Sequence, residues 1–185
     1  MILDSLTENQ RQCIVSLPYR AGLYVSQSDQ SGGDAASDNE VRVLENLIYG
    51  FADGVFGSEF VQHVMSDTIK RKDQWAHWDD DVLNVPSECK EALTILSGHI
   101  DAKERGAYAA RIMEVGEAVA LAFREDIGAS TGFGRVKAYM GYLSYKREAK
   151  AKKLSVRSFD DYLFISPSER EALRALARAL EIEYV

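Results

Sequence analysis

Cysteine, proline and histidine are scarce in this 185-residue chain, with two, three and three residues respectively. Cys13 and Cys89 form no C-x-x-C pair and lie far apart in sequence, so they read as buried free thiols rather than as a disulfide or a metal-ligand set. His63, His77 and His99 make neither H-x-x-x-H nor H-E-x-x-H, which removes the common zinc motifs. Long apolar runs are missing too. The longest, Ala118 to Phe123, is far short of the roughly 18 residues a membrane-spanning helix needs. At the start, Met1-Ile2-Leu3 is followed at once by Asp4, without the basic and apolar regions of an export signal. The expectation is a cytoplasmic protein with no membrane association. Alternating β-branched runs are nearly absent, which argues against a sheet.

What remains is a chain with 46% hydrophobic and 28% charged residues, ordinary for one globular domain spanning residues 1–185. Helix signals recur throughout, and the expected fold is an all-α single-domain bundle of about seven helices. Thr7 can cap a first short helix, and Pro18 suits the first turn of a second, running to about Gln27. Residues 28–36 form an acidic loop rich in Ser, Gly and Asp. Ser37 and Glu40 make an S-x-x-E capping box, after which Leu44, Leu47, Ile48 and Phe51 recur at helical spacing and mark a buried face. Ser58 caps the next helix, to about Lys72, and a polar loop with two tryptophans follows from Asp73 to Asn84. Pro86 begins a helix reaching about His99. Asp101 and Glu104 form a second capping box, opening a long helix whose Ile112–Phe123 stretch is apolar on nearly every side, as in the middle of a bundle.

Beyond a Gly-rich turn at 128–134 the sequence predicts a basic helix over about 133–153 and a C-terminal helix over about 167–182. The latter opens with Ser166-Pro167-Ser168-Glu169, a third capping box with proline at the first helical position. Its S-x-x-E-x-x-x-L-x-x-L pattern repeats the one beginning at Ser37, which suggests two related halves.

Charge is unevenly distributed. Residues 135–157 carry eight basic side chains and one acid, a local balance of 8 − 1 = +7, so the rest of a chain of net charge −7 sums to −14. Tyr139, Tyr142 and Tyr145 share a face of that basic helix. Cations towards its C-terminal end complement the helix dipole, which is a structural reason for them. The functional alternative is a scaffold docking an acidic protein or phosphate-bearing ligand through Lys146, Arg147, Lys150, Lys152 and Lys153. Nucleic acid is disfavoured because the acidic remainder repels phosphate.

Few motifs carry chemistry. Gly128-Ala129-Ser130-Thr131-Gly132 matches G-x-S-x-G, but a helix precedes it instead of a strand and every histidine lies upstream, so a hydrolase using Ser130 is the weakest reading. His77, between two tryptophans and beside Asp79, Asp80 and Asp81, could bind a metal or titrate; a tryptophan-anchored surface loop is the simpler account. The segment from Asp29 to Glu40 fits a calcium loop in part. Asp29, Ser31, Ser37 and Glu40 fall at positions one, three, nine and twelve, whereas Gly33 and Asp34 occupy positions five and six, where a ligand and a glycine belong. Capping alone accounts for Ser37 and Glu40.

Taken together, the acidic loop from Ser28-Asp29 to Glu40 with Leu44, and Phe159-Asp160-Asp161 leading to Ser166-Pro167-Ser168-Glu169-Arg170-Glu171-Ala172-Leu173, resemble the two ends of a TerB-like (tellurite-resistance) helical domain. The resemblance implies a non-catalytic binding or stress-associated module, with divalent-cation binding by acidic loop residues as in some members. Its candidate ligands are Asp29, Asp34 and Glu40, joined by Asp160, Asp161 and Glu169 if the halves bring their loops together. The only cofactor it implies is a divalent cation such as calcium.

Overall fold

Pro18, expected at the start of a helix, lies inside one. A computed structural model describes residues 2–28, 38–53, 57–122 and 166–184, and in it a single helix α1, Glu8–Ser28, runs straight through the proline. Proline has no N–H for the carbonyl four residues earlier, and its ring crowds that carbonyl, which usually ends or kinks a helix. Here the replacement donor for the Ile14 carbonyl comes from elsewhere in the chain, and the adjacent Val15 carbonyl gains a side-chain donor as well. Tyr108 Oη donates to the Ile14 carbonyl at 2.9 Å, and Thr68 Oγ1 donates to the Val15 carbonyl at 2.7 Å. Both side chains are buried, and they stand 94 and 53 residues from the carbonyls they satisfy. Burial pushes the Tyr108 phenol far above its ordinary pKa, so it keeps the proton it donates.

Five further helices follow among the described residues: α2 Asp38–Asp53, α3 Glu59–Lys70, α4 Val85–Ser97, α5 Ala102–Ala122 and α6 Pro167–Ala179. Short 3₁₀ turns lie at Ile2–Ser5, Lys72–His77 and Val82–Asn84, and no strand occurs among the described residues. The fold class is all-α, as expected. No helix of the described residues is long and apolar enough to cross a membrane.

Caps set the helix starts. The expected box at Ser166 is complete, with Glu169 N–H donating to Ser166 Oγ at 3.2 Å and Ser166 N–H to Glu169 Oε2 at 3.0 Å. Ser58 Oγ accepts from Val61 N–H at 3.0 Å, as expected. Thr7 caps the start of α1, as expected, and Gln10 completes a box there: Gln10 N–H donates to Thr7 Oγ1 at 3.4 Å and Thr7 N–H to Gln10 Oε1 at 3.0 Å. The Asp101–Glu104 pair behaves differently from expectation. Asp101 Oδ1 does accept from Glu104 N–H at 2.8 Å, but the Glu104 carboxylate reaches across to α3, accepting from Ser58 Oγ at 2.6 Å and Phe60 N–H at 3.3 Å. A negative charge at the amino end of α3 is favoured by its dipole, and the link ties the two helices together.

Helix α1 is the hub, touching all five other helices. Every residue from Ile14 to Leu23 is buried, including Ser16, Pro18 and Arg20. Helix α5 crosses it as the second central element, buried continuously from Val115 to Ala122. Two glycines permit the close approach. A Cβ on Gly22 would run into Leu44 Cδ1, and one on Gly116 would lie 3.2–3.3 Å from Leu176, Leu173 and Val25. Leu44, Leu47, Ile48 and Phe51 of α2 are buried, so the expected apolar face is the observed one.

Ion pairs join the start of α1 to the end of α3: Arg11 with Asp67 and Asp4, Lys70 with Asp67 at 3.4 Å, and Arg71 with Glu8 at 2.7 Å. Burial pushes the Asp67 carboxyl upwards, but Arg11 and Lys70 outweigh it and hold the group below its ordinary 3.8. A carboxyl lowered on folding contributes stability that is complete above its unfolded value and disappears as pH falls through the folded one. Unfolding free energy should therefore drop as pH is lowered below about 4, and Asp67→Asn should flatten that drop, as read from urea unfolding at successive pH values. The α1 arrangement is testable by a mutant cycle. Tyr108→Phe should cost about 1–3 kcal/mol by orphaning the Ile14 carbonyl. With Pro18→Ala, which restores an N–H at residue 18, the same change should cost at least about 1 kcal/mol less. An equal cost in both backgrounds would show that the hydroxyl is not compensating for the proline.

Candidate functional site

Most residues singled out from the sequence fall outside the described part of the chain. Asp29, Asp34, Asp160, Asp161, Ser130, Lys146, Arg147, Lys150, Lys152 and Lys153 all lie there. Glu40 belongs to the first turns of α2, but its side chain is likewise outside the description. Glu169 is placed: it is buried at the start of α6, with Oε2 accepting from Ser166 N–H. Capping accounts for that carboxylate oxygen.

The thiols are free and poorly disposed to react. Cys89 is buried and Cys13 half-buried, with its sulfur 3.9 Å from the Glu88 carbonyl. Burial, reinforced by Glu91 and Glu88, pushes the Cys13 thiol up to about 12, and burial raises Cys89 as well. Thiolates would be rare at neutral pH.

The tryptophan loop is held from below by Arg20. This buried guanidinium on α1 donates through Nε and Nη2 to both carboxylate oxygens of Glu88, at 2.9 and 2.8 Å. Nη1 donates to the carbonyls of Trp78 and Asp80, at 2.7 and 2.9 Å, and Nη2 reaches the Asp81 carbonyl at 3.4 Å. All five N–H groups are thus directed at acceptors, an arrangement the planar fork of arginine can make and lysine cannot. Trp75 stacks on Tyr19 with ring centroids 4.5 Å apart and donates from Nε1 to the Thr68 carbonyl at 2.9 Å. Trp78 also packs on Tyr19, and its indole N–H finds no acceptor among the described residues, so its ring is what anchors it. His77 is exposed, and no cluster of three His, Cys, Asp or Glu side chains able to hold a metal occurs among the described residues. The tryptophan-anchored surface loop is the observed arrangement.

A different site emerges where α4, α5 and α6 meet. Lys90, Leu93, Thr94 and Ser97 form one stripe along α4 and line a groove of about 360 Å³. Arg105, near the start of α5, lines a second side. Arg178, Ala179 and Glu181 line the third, at the end of α6. Three cations therefore face one carboxylate, a local balance of 3 − 1 = +2 in a chain of net charge −7. None of the three forms an ion pair with a described residue, Glu181 included. Glu181 stands in the left-handed region at φ 57, ending α6 in a turn closed by Ile182 N–H donating to the Ala177 carbonyl at 2.9 Å. Thr94 and Ser97 spend their hydroxyl protons on the Lys90 and Thr94 carbonyls, leaving lone pairs outward. The carboxyl ends of α4 and α6 offset part of the positive charge, which gives Arg178 a structural reason to be there. Arg105 has no such reason, because the nearby end of α5 is the positive one.

The groove could not be seen as a motif, since its cations come from three separate helices. The only signal in the sequence was single basic side chains among mixed charges on three helices. No protein-family model, curated protein or solved structure matches the chain.

Arg20 itself is open to test. Arg20→Met should lower stability by about 3–5 kcal/mol, as expected when one partner of a buried, multiply bonded pair is removed. Trp emission should shift to the red as the loop loosens, and Arg20→Lys should recover only part of both effects. Unfolding curves followed by tryptophan fluorescence measure the two together, and an unshifted emission maximum would show that the loop holds without Arg20.

Proposed function

We propose that this chain is a non-catalytic helical binding module that receives an acidic group of a partner in the groove between α4, α5 and α6. The observation that carries the reading is the convergence there of Lys90, Arg105 and Arg178 without an ion pair to any described residue. Such a recess concentrates positive potential on an otherwise acidic surface and favours carboxylate or phosphate. The commitment of Arg20, Glu88, Glu104 and Tyr108 to holding helices, and the raised thiols of Cys13 and Cys89, support a binding role over a catalytic one. The TerB-like resemblance of the sequence supports the same reading, as an accessory or stress-associated module. The basic stretch 135–157 would add a second cationic surface with the same preference for acidic ligands.

A labelled oligo-glutamate peptide is a suitable probe. Its affinity for the full chain, followed by fluorescence anisotropy, should fall by about tenfold or more in Arg105→Glu with Arg178→Glu, and should weaken as salt rises. Lys150→Glu with Lys153→Glu separates the two surfaces. Loss in that variant combined with undiminished binding in the groove variant would assign the ligand to the basic stretch and overturn the groove reading.

A further inference from the structure

Resting on that reading of the groove, we infer that its occupant is the 79–83 loop of a second copy of this chain, so that copies associate tip to groove. The loop carries three consecutive exposed carboxylates, Asp79, Asp80 and Asp81, none of which pairs with a described residue. Two residues further, Leu83 is 83% exposed, far more than Ile2 and Tyr49, the other exposed large hydrophobic residues among those described. The protrusion is stiff. Arg20 grips the carbonyls of Trp78, Asp80 and Asp81 from inside, Trp75 and Trp78 anchor its base, and Asn84 N–H closes a turn on the Asp81 carbonyl at 2.9 Å. A pre-shaped tip loses little conformational freedom when it docks.

Groove and tip complement each other. Three carboxylates and a leucine at the tip face three cations and the Leu93 side chain in the groove. Within one molecule they do not pair. The tip immediately precedes α4, whereas the groove runs along that helix from Lys90 to Ser97 and beside the start of α5. At 1.5 Å per residue Lys90 is about 8 Å and Ser97 about 18 Å from the start of α4. A contact between different patches of identical molecules closes into a two-fold dimer when two copies make it reciprocally, and otherwise builds a ring or an open chain. A recess of about 360 Å³ is small beside a standard interface, and the copies share a net charge of −7, so association is weak and concentration-dependent. At ordinary ionic strength the general repulsion is screened beyond about 8 Å, leaving the local contacts to decide.

Sedimentation equilibrium of the full chain tests this. The wild type should show reversible association that weakens by about tenfold between about 0.1 and about 0.5 M salt. A tip variant (Asp79→Lys, Asp80→Lys, Leu83→Ser) and a groove variant (Arg105→Glu, Arg178→Glu) should each be monomeric, because every junction needs both surfaces. Mixed together they should form a one-to-one dimer and nothing larger, since the tip variant keeps its groove, the groove variant keeps its tip, and the remaining ends are dead. Recovery on mixing also shows that both variants are folded. A monomeric wild type up to about millimolar concentration, or no dimer in the mixture, would overturn self-docking. Retained oligo-glutamate binding that depends on Arg105 and Arg178 would then leave the groove reading standing, with another acidic protein as its occupant. Loss of both would end both.

Discussion

The bond from Tyr108 to the Ile14 carbonyl is the constraint on which the bundle turns. A helix buried along ten consecutive residues has no water to satisfy a carbonyl that proline leaves bare, and an orphaned buried acceptor costs about 1–3 kcal/mol. The donor must therefore come from a neighbouring helix at a defined height along α1. Tyr108 supplies it from α5 and Thr68 supplies a second from α3, which fixes the depth of both helices against the hub. Once they are set, Gly22 and Gly116 determine how near α2 and α6 can come. Packing alone would tolerate small slides of these helices, whereas directional bonds to two adjacent carbonyls do not.

Ionic groups extend the same logic to the rim. Arg20 and Glu88 join α1 to α4 and suspend the tryptophan loop, Glu104 joins α5 to the start of α3, and Asp67 gathers Arg11 and Lys70. Each of these side chains has a named partner, and all but the exposed Lys70 are at least partly shielded, so each is accounted for by architecture. Other exposed charges, Glu59, Glu91, Lys103 and Arg174 among them, also have no ion pair with a described residue, but the groove cations and the tip carboxylates stand grouped by sign. Separating used from unused charge in this way is a stronger guide to function in an acidic chain than net charge, because the total hides both.

The all-α class, the capped starts at Ser58 and Ser166 and the buried stripe Leu44–Phe51 were legible in the sequence, because each depends on residues three or four positions apart. Pro18 was misleading for a physical reason: its meaning depends on Tyr108, 94 residues from the carbonyl it satisfies, and no local window contains both. Glu104 was half readable for the same reason, with its N–H bound to nearby Asp101 and its carboxylate to distant Ser58. The centrality of α5 followed from its apolar stretch. That of α1 did not, since Ser16, Pro18 and Arg20 interrupt its apolar pattern, and Pro18 and Arg20 depend on partners from elsewhere in the chain.

The candidate site shows the same limit from the other side. Local reading favours runs of like residues, and it duly selected the acidic segment 29–40, of which only the last three residues are described, and the basic stretch 135–157, which lies outside the described residues. Lys90, Arg105 and Arg178 are each unremarkable where they stand, one cation among mixed charges on a helix. Surface ion pairs are worth little, so leaving these three unpaired costs the fold almost nothing. A cationic recess can therefore be assembled by substitutions that barely disturb stability, provided the helices bearing them are already held in register. The rigid interior around Ile14 is thus a precondition of the groove, because cations from three helices face one point only if none of those helices can slide.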